Sequence, residues 1–324
     1  MTPLPPAVSP AISVIVPALN EGRYLPVLLD SLEKQDFSDY EVIVADAGST
    51  DGTVECALSR NCRVVSGGMP GAGRNAGAAV ARGEFFFFID ADVRLPLGFL
   101  RNAHEEIERR FIDFATCEIR PLSEVSLDKL LFSFASTITR LTLRTEPRSS
   151  GFCLIASRRL FRRVGGFDET IRLGEDHAFG KAAVKYRPLE FLSSVWADVS
   201  VRRLEKEGRL AYALKAIQTD LHRRWVGEIR DDFIEYEFAH YDEPPVSAEE
   251  APSETILAKL DRFLLSADEG ISTLIANARS RDADPAKGEG EADQALLRDR
   301  LQSQFRQISV QLRRRLRRRK RKDP

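Results

Sequence analysis

The side chains best placed to do chemistry in this sequence are carboxylates that follow apolar runs. Residues 85–89, "FFFFI", lead directly into Asp90-Ala91-Asp92. Two carboxylates at i and i+2 can divide work between a divalent cation and a ribose hydroxyl or the cation's waters. Mg2+ and Mn2+ prefer oxygen ligands and are commonly held by one or two carboxylates plus substrate phosphates. The plain alternative is a solvated loop. Asp46 closes a second apolar run, "YEVIVAD", ahead of a Gly-Ser-Thr-Asp turn, where a short carboxylate can hold a nucleobase N–H. Within that turn Asp51 reads most simply as the N-cap of the next helix. Glu21, in "VPALNEG", either accepts hydrogen bonds from a ribose or base or complements a helix dipole.

Two further clusters carry charge near helix starts. In "GGMPGAGRNAG", Gly71, Gly73 and Gly77 open an alanine-rich helix whose free N–H groups can face a phosphate, with Arg74 and Asn75 alongside. The same spacing resembles a dinucleotide fingerprint, but it sits on the third strand–helix unit instead of the first. Close helix–sheet packing explains the glycines equally well. In "LGEDHAFG", Glu175 and Asp176 begin a helix, which suits its dipole. Asp176 is also placed to act as a general base toward an acceptor hydroxyl, with His177 as a lesser candidate.

These side chains need a frame, and the hydrophobic pattern supplies one. Short β-branched or aromatic runs at 12–16, 40–48, 62–68 and 84–92 alternate with helical patterns over about 90 residues. This is the signature of a parallel sheet covered by helices on both faces, whose strands are apolar throughout. In such sheets ligands bind beyond the carboxyl ends of the strands. Further along, a helix is expected near 96–110, a strand at 112–120, helix at 124–145, a strand at 151–157 and a short helix at 158–164. A helix near 176–186, an extended segment at 189–201 and a helix over 207–225 complete the pattern.

Residues 1–11 read as a disordered lead-in without signal-peptide features, and 12–240 as one domain. A proline-rich acidic linker is expected at 241–253, then a helical region over 254–324. In the last helix Leu297, Leu301, Phe305, Ile308, Leu312 and Leu316 share a stripe. The net charge of −1 conceals a split, because residues 313–322 carry nine positive charges against an acidic body. A basic helix with an apolar stripe suits reversible contact with an anionic membrane surface better than nucleic acid. No transmembrane span is expected. Cys56, Cys62, Cys117 and Cys153 have no metal-type spacing and read as reduced thiols of a cytoplasmic protein.

Taken in order, "SVIVPALNE", "VIVADAGSTDGT", "GAGRNAGAAVARGEFFFFIDAD", "GFCLIASRRLFRRVGGFDE" and "GEDHAFG" resemble the family 2 glycosyltransferases of GT-A fold, over about 12–205. The resemblance implies a Rossmann-like, mostly parallel α/β sheet sandwiched by helices, here with a helical C-terminal appendage. It also implies a UDP- or GDP-linked sugar donor, a lipid-linked or saccharide acceptor, and inversion by a single in-line displacement aided by Mn2+ or Mg2+. It assigns Pro17, Ala18, Glu21 and Asp46 to base and ribose, Arg74 to the nucleotide, and Asp90, Ala91 and Asp92 to ribose and metal. Asp176 becomes the catalytic base, with Glu175 beside it, and Arg202 or Arg203 would meet the diphosphate. Two departures stand out. Ala18 replaces the usual aromatic after the first proline, and no QxxRW motif follows. A nucleotidyltransferase of related α/β fold and a retaining GT-A enzyme are the alternatives.

Overall fold

The computed structural model describes residues 9–143, 151–225 and 227–230. These belong to the first of two units, Met1–Ala258 and Lys259–Pro324. The expected linker at 241–253, the region 254–324 with its stripe and basic tail, residues 231–240 and most of the lead-in lie outside the described residues.

The chain runs β1 (Ile12–Ala18), α1 (Leu25–Glu33), β2 (Tyr40–Asp46), α2 (Thr53–Ser59), β3 (Arg63–Ser66), α3 (Pro70–Val80) and β4 (Phe85–Ile89). Then come β5 (Val93–Arg94), α4 (Phe99–Arg110), β6 (Phe114–Pro121), α5 (Ser126–Thr142), β7 (Cys153–Ser157) and α6 (Arg158–Val164). It continues with α7 (Glu175–Ala183), β8 (Glu190–Val199), α8 (Arg202–Glu207) and α9 (Arg209–Trp225). The strands form one sheet in the order β3-β2-β1-β4-β7-β6-β8-β5. β1 to β4 pair in parallel, β7 runs antiparallel between β4 and β6, and β5 runs antiparallel to β8. With β6 and β8 parallel, all strands but β5 and β7 share one direction. The expected α/β class, a mostly parallel sheet between helical layers, is the one observed.

The phenylalanine run shows why the sheet is covered twice. Alternate side chains of a strand point to opposite faces, so Phe85, Phe87 and Ile89 join Leu25, Leu28, Leu29, Phe99 and Ile107 under α1 and α4. Phe86 and Phe88 turn the other way, to Leu160, Phe161, Phe167 and Phe179 under α6 and α7. There Phe86 meets Phe161 edge to face at 5.4 Å and Phe88 meets Phe167 edge to face at 5.1 Å, while Phe167 stacks on Phe179 at 4.6 Å. At about 1.5–3 kcal/mol for each fully buried phenylalanine, β4 is a principal anchor of both layers.

The glycines of α3 serve packing. A Cβ on Gly77 would lie 2.4 Å from Ile15 Cγ2, and one on Gly73 3.4 Å from Pro17 Cβ. Close approach of α3 to β1 accounts for Gly73 and Gly77. Asn75, expected alongside a phosphate, instead accepts the Phe167 N–H and donates to the Phe167 carbonyl and to Glu169, pinning the loop before α7. Where β6 and β8 shift register between Cys117 and Glu118, Ser193 and Ser194 leave the ladder. Their N–H groups donate to Glu106 of α4. The four cysteines are free thiols. No helix of the described residues is long and apolar enough to cross a membrane.

Candidate active site

β2, β1 and β4 are neighbours, so the segments that follow them emerge side by side at one edge of the sheet. Ala18 and Asp46 are paired in register, which sets the first two loops against each other. Asn20 takes a left-handed backbone, φ 53°, and Asn and Asp tolerate this better than other side-chain-bearing residues. Its N–H donates to Ser49 Oγ, and its side-chain oxygen accepts the Thr50 N–H. Next door the Glu21 N–H donates to Thr53 Oγ1 and the Gly22 N–H to Asp51. Asp51 also accepts the Thr53 N–H, but Gly52, with φ 89°, is the residue that caps α2. The expected N-cap is therefore displaced by one residue, and Asp51 ties two loops together.

Asp46 has a double character. Its Oδ2 accepts the N–H groups of Gly48 and Ser49 at 2.9 and 3.0 Å, which shapes the turn. Its Oδ1 is buried without a hydrogen-bond partner. A buried acceptor left unpaired costs roughly 1–3 kcal/mol. Turn formation alone does not account for that oxygen.

The remaining carboxylates are collected by two arginines. Arg74, on α3, donates to Asp90 at 2.8 Å and to Glu175, and its guanidinium lies 5.6 Å from the centre of the Phe167 ring. Arg202, at the start of α8, grips Glu21 with both terminal nitrogens at 2.7 Å and Asp92 through Nε at 3.0 Å. Tyr24 stacks beneath it at 4.2 Å. Arg203 adds its charge near Asp90 and hydrogen-bonds Tyr212.

Gly174, at φ 82°, starts α7 so that Glu175 and Asp176 occupy its first turn. Neither is the N-cap, but Asp176 Oδ1 accepts the His177 N–H within the first turn at 2.7 Å. Glu175 reaches back to Arg74, while Asp176 lies alongside. A Cβ added to Gly151 would come within 3.1 Å of Asp176 Oδ2 and 3.2 Å of Arg74 Nη2.

Five carboxylates, Glu21, Asp90, Asp92, Glu175 and Asp176, thus face three guanidiniums. The surplus of negative charge acts on the titrations. Burial pushes the Glu21 carboxyl up to about 7 against the hydrogen bonds and charge of Arg202, and the charges of Asp92 and Asp90 add to the rise. Burial likewise lifts Asp90 to about 6 against Arg74, with Asp92 and Glu175 adding to it. Among the described residues no three His, Cys, Asp or Glu side chains form a ready-made metal centre. Asp90 and Asp92 nevertheless fit a hard divalent cation. They offer oxygen donors, in a site rich in negative charge, of the kind that shares an ion with substrate phosphates.

The sheet edge brings together Glu21, Asp90, Ala91, Asp92, Arg74, Glu175, Asp176, Arg202 and Arg203 of the residues singled out from sequence. Pro17, Ala18 and Asp46 line the neighbouring ends of β1 and β2, and Asp46 makes no ion pair with the two arginine clusters. Sequence reasoning passed over Asn20, Tyr24 and Gly151. An Asn-Glu-Gly step after a strand is a detectable signal for the first.

A mostly parallel α/β sheet with charged side chains gathered beyond its carboxyl edge defines the class: an α/β protein with a ligand crevice at that edge. The more particular assignment follows from comparison. Residues 13–165 match the model of Glycosyl transferase family 2. Among curated relatives, the uncharacterized glycosyltransferase EpsJ of Bacillus subtilis is 29% identical over 196 residues, covering 54% of this chain and 56% of EpsJ. The poly(ribitol-phosphate) beta-N-acetylglucosaminyltransferase TarS of Staphylococcus aureus is 26% identical over 252 residues, covering 70% of this chain and 44% of TarS. The chain therefore spans about half the length of these relatives. A crystal structure of S. aureus TarS 1–349 in complex with UDP-GlcNAc matches at 24% identity and a TM-score of 0.48, covering 66% of this chain and 73% of that one.

Proposed function

We propose that the chain is a glycosyltransferase that moves a sugar from a nucleoside diphosphate donor to an acceptor hydroxyl, with inversion, at the edge formed by β1, β2 and β4. The observation that carries this reading is the gathering of Glu21, Asp90, Asp92 and Glu175 around two arginines, in a chain whose residues 13–165 match the family 2 model.

In this reading the unpaired Oδ1 of Asp46 accepts a base or ribose donor, and Glu21 holds the ribose. Pro17 and Ala18 form the floor beneath them. Asp90 and Asp92 would hold Mn2+ or Mg2+. Once bound, the ion neutralises charge growing on the departing diphosphate. Arg74 keeps Asp90 oriented and sets Glu175 beneath Asp176. Asp176 takes the proton of the acceptor hydroxyl as that oxygen attacks the anomeric carbon from the face opposite the leaving group. The absence of a side chain at Gly151 keeps space open beside that carboxylate.

A thermal-shift panel of UDP- and GDP-sugars with Mn2+ tests the reading, because a ligand stabilises in proportion to the logarithm of its occupancy ratio. One donor should stand out, with sugar transfer or donor hydrolysis lost in Asp92→Ala. Tight NADH binding with no response to any nucleotide sugar would sink it.

A further inference from the structure

Arg202 occupies a position that the proposed reaction does not explain. It joins Glu21 and Asp92, residues that follow adjacent strands and lie 181 and 110 positions away in sequence. Its side chain is only 9% exposed, with Glu21 and Asp92 at 13% and 5%. A guanidinium in a two-pronged grip on one carboxylate and a third hydrogen bond to another is held far more firmly than a surface pair.

The segment that carries it is short and tethered on both sides. Before it, Val199 pairs with Val93, and the Ser200 N–H donates to the Asp92 carbonyl. After it, Gly208 turns the chain at φ 86°, and Arg209 is fixed by a two-pronged bond to the buried Asp128, at 2.6 and 3.1 Å. Between these anchors lie only the six residues of α8. Its N-cap, Val201, contributes no side-chain hydrogen bond. Arg202 thus ties α8 directly to Glu21 and Asp92, with Arg203 of the same helix adding its charge near Asp90.

We propose that Arg202 is the resident counter-cation of the crevice, a latch that a divalent ion must displace from Glu21 and Asp92 before it can bind. The proposal rests on the reading of Asp90 and Asp92 as ion ligands given above. A guanidinium and a divalent cation compete for the same Asp92 carboxylate, so the ion's apparent affinity is reduced by the fraction of time the latch is shut. Release of Arg202 also frees α8, which couples occupancy of the crevice to the position of that helix. The test uses Mn2+ alone, so nucleotide binding and catalysis do not enter it.

Mn2+ binding to the full chain, measured by electron paramagnetic resonance of the free ion, is compared for wild type and Arg202→Gln. Opening the latch should tighten binding at least ~10-fold, the factor for a crevice open about a tenth of the time. Tyr24→Leu removes the ring beneath the guanidinium while leaving every carboxylate in place. It should shift affinity in the same direction by a smaller factor, and it serves if Arg202→Gln fails to fold. Hydrogen exchange of 201–208 should rise when Mn2+ is added to wild type and should already be raised in Arg202→Gln. Unchanged or weaker Mn2+ binding in the folded variants overturns the latch, as does failure of every form to bind the ion. If Mn2+ behaves as expected but no nucleotide sugar binds, the latch stands and the assigned reaction falls.

Discussion

Arg74 and Glu175 form a buried ion pair that joins α3 to the first turn of α7, with side chains 3% and 9% exposed. Arg74 also holds Asp90, so one guanidinium fixes a carboxylate beyond β4 and another beside the expected base. Removing one partner of a buried pair leaves an uncompensated charge, which typically costs 3–5 kcal/mol. Asp90 remains to compensate Arg74, so Glu175→Gln should cost somewhat less, on the order of 2–3 kcal/mol. Urea denaturation would measure it, and a change within 0.5 kcal/mol, the ordinary spread of surface substitutions, would show that the pair is not structural.

Asp176→Asn should keep the fold and lose the chemistry. A positioned general base contributes ~10²–10⁴-fold to rate, so turnover with the best donor should fall by that factor while its thermal stabilisation of the protein persists. Loss of both together would assign Asp176 to donor binding instead.

Glu106 makes an acid-sensitive support. Burial raises its carboxyl, but hydrogen bonds from the side chain and backbone of Ser194, from Arg110 and from the Ser193 backbone outweigh burial and bring it to about 2. A depressed carboxylate contributes stability above its unfolded value of 4.5, and that contribution drains away as pH falls toward 2. Glu106→Gln should cost about 1–3 kcal/mol at neutral pH and flatten the decline between pH 4.5 and 2. An unchanged acid limb in calorimetry would refute the assignment.

The crevice behaves in the opposite sense. Glu21 titrates at about 7 and Asp90 at about 6, above their unfolded values of 4.5 and 3.8. Between those limits the folded protein keeps protons that the unfolded chain has released, so stability must fall as pH rises through the window. The melting temperature of ligand-free protein should therefore decline from pH 5 to pH 8 beyond the trend of Glu21→Gln. Mg2+ should recover part of the loss at pH 8, where the carboxylates are ionised. A decline identical in wild type and Glu21→Gln would count against this account.

The layout of the sheet was legible because its signals are local. The run at 85–89 is apolar at every position, as a strand covered on both faces must be, and the short helix expected at 158–164 is α6 in full. The carboxylates at strand ends were legible for the same reason: each interrupts an apolar run. What local signals do not encode is pairing across the chain. Nothing near Arg202 announces Glu21, and Asp128 gives no hint of Arg209, because tertiary packing brings these groups together. The α3 glycines show the converse difficulty. A Gly-rich helix start can cradle phosphate or admit a neighbouring strand, and the approach of Ile15 to Gly77 is a tertiary contact that the local sequence does not announce. The antiparallel insertion of β7 between β4 and β6 was equally silent, since a strand's direction leaves no mark in its own residues.

The hydrogen bonds that knit Asn20, Glu21 and Gly22 to Ser49, Thr50, Asp51 and Thr53 carry a thermodynamic consequence. They restrict the backbone torsions of two crevice loops through the chain's own hydrogen bonds, so a molecule entering on that side has little chain motion left to quench. Ordering costs are among the main charges against association, and here the first two loops are already ordered. Any remaining cost falls on α8, which makes the crevice stiff along one wall and adjustable along the other. A ligand that contacts only the β1–β2 wall should bind with a small entropic penalty, whereas one that dislodges α8 should show a larger one.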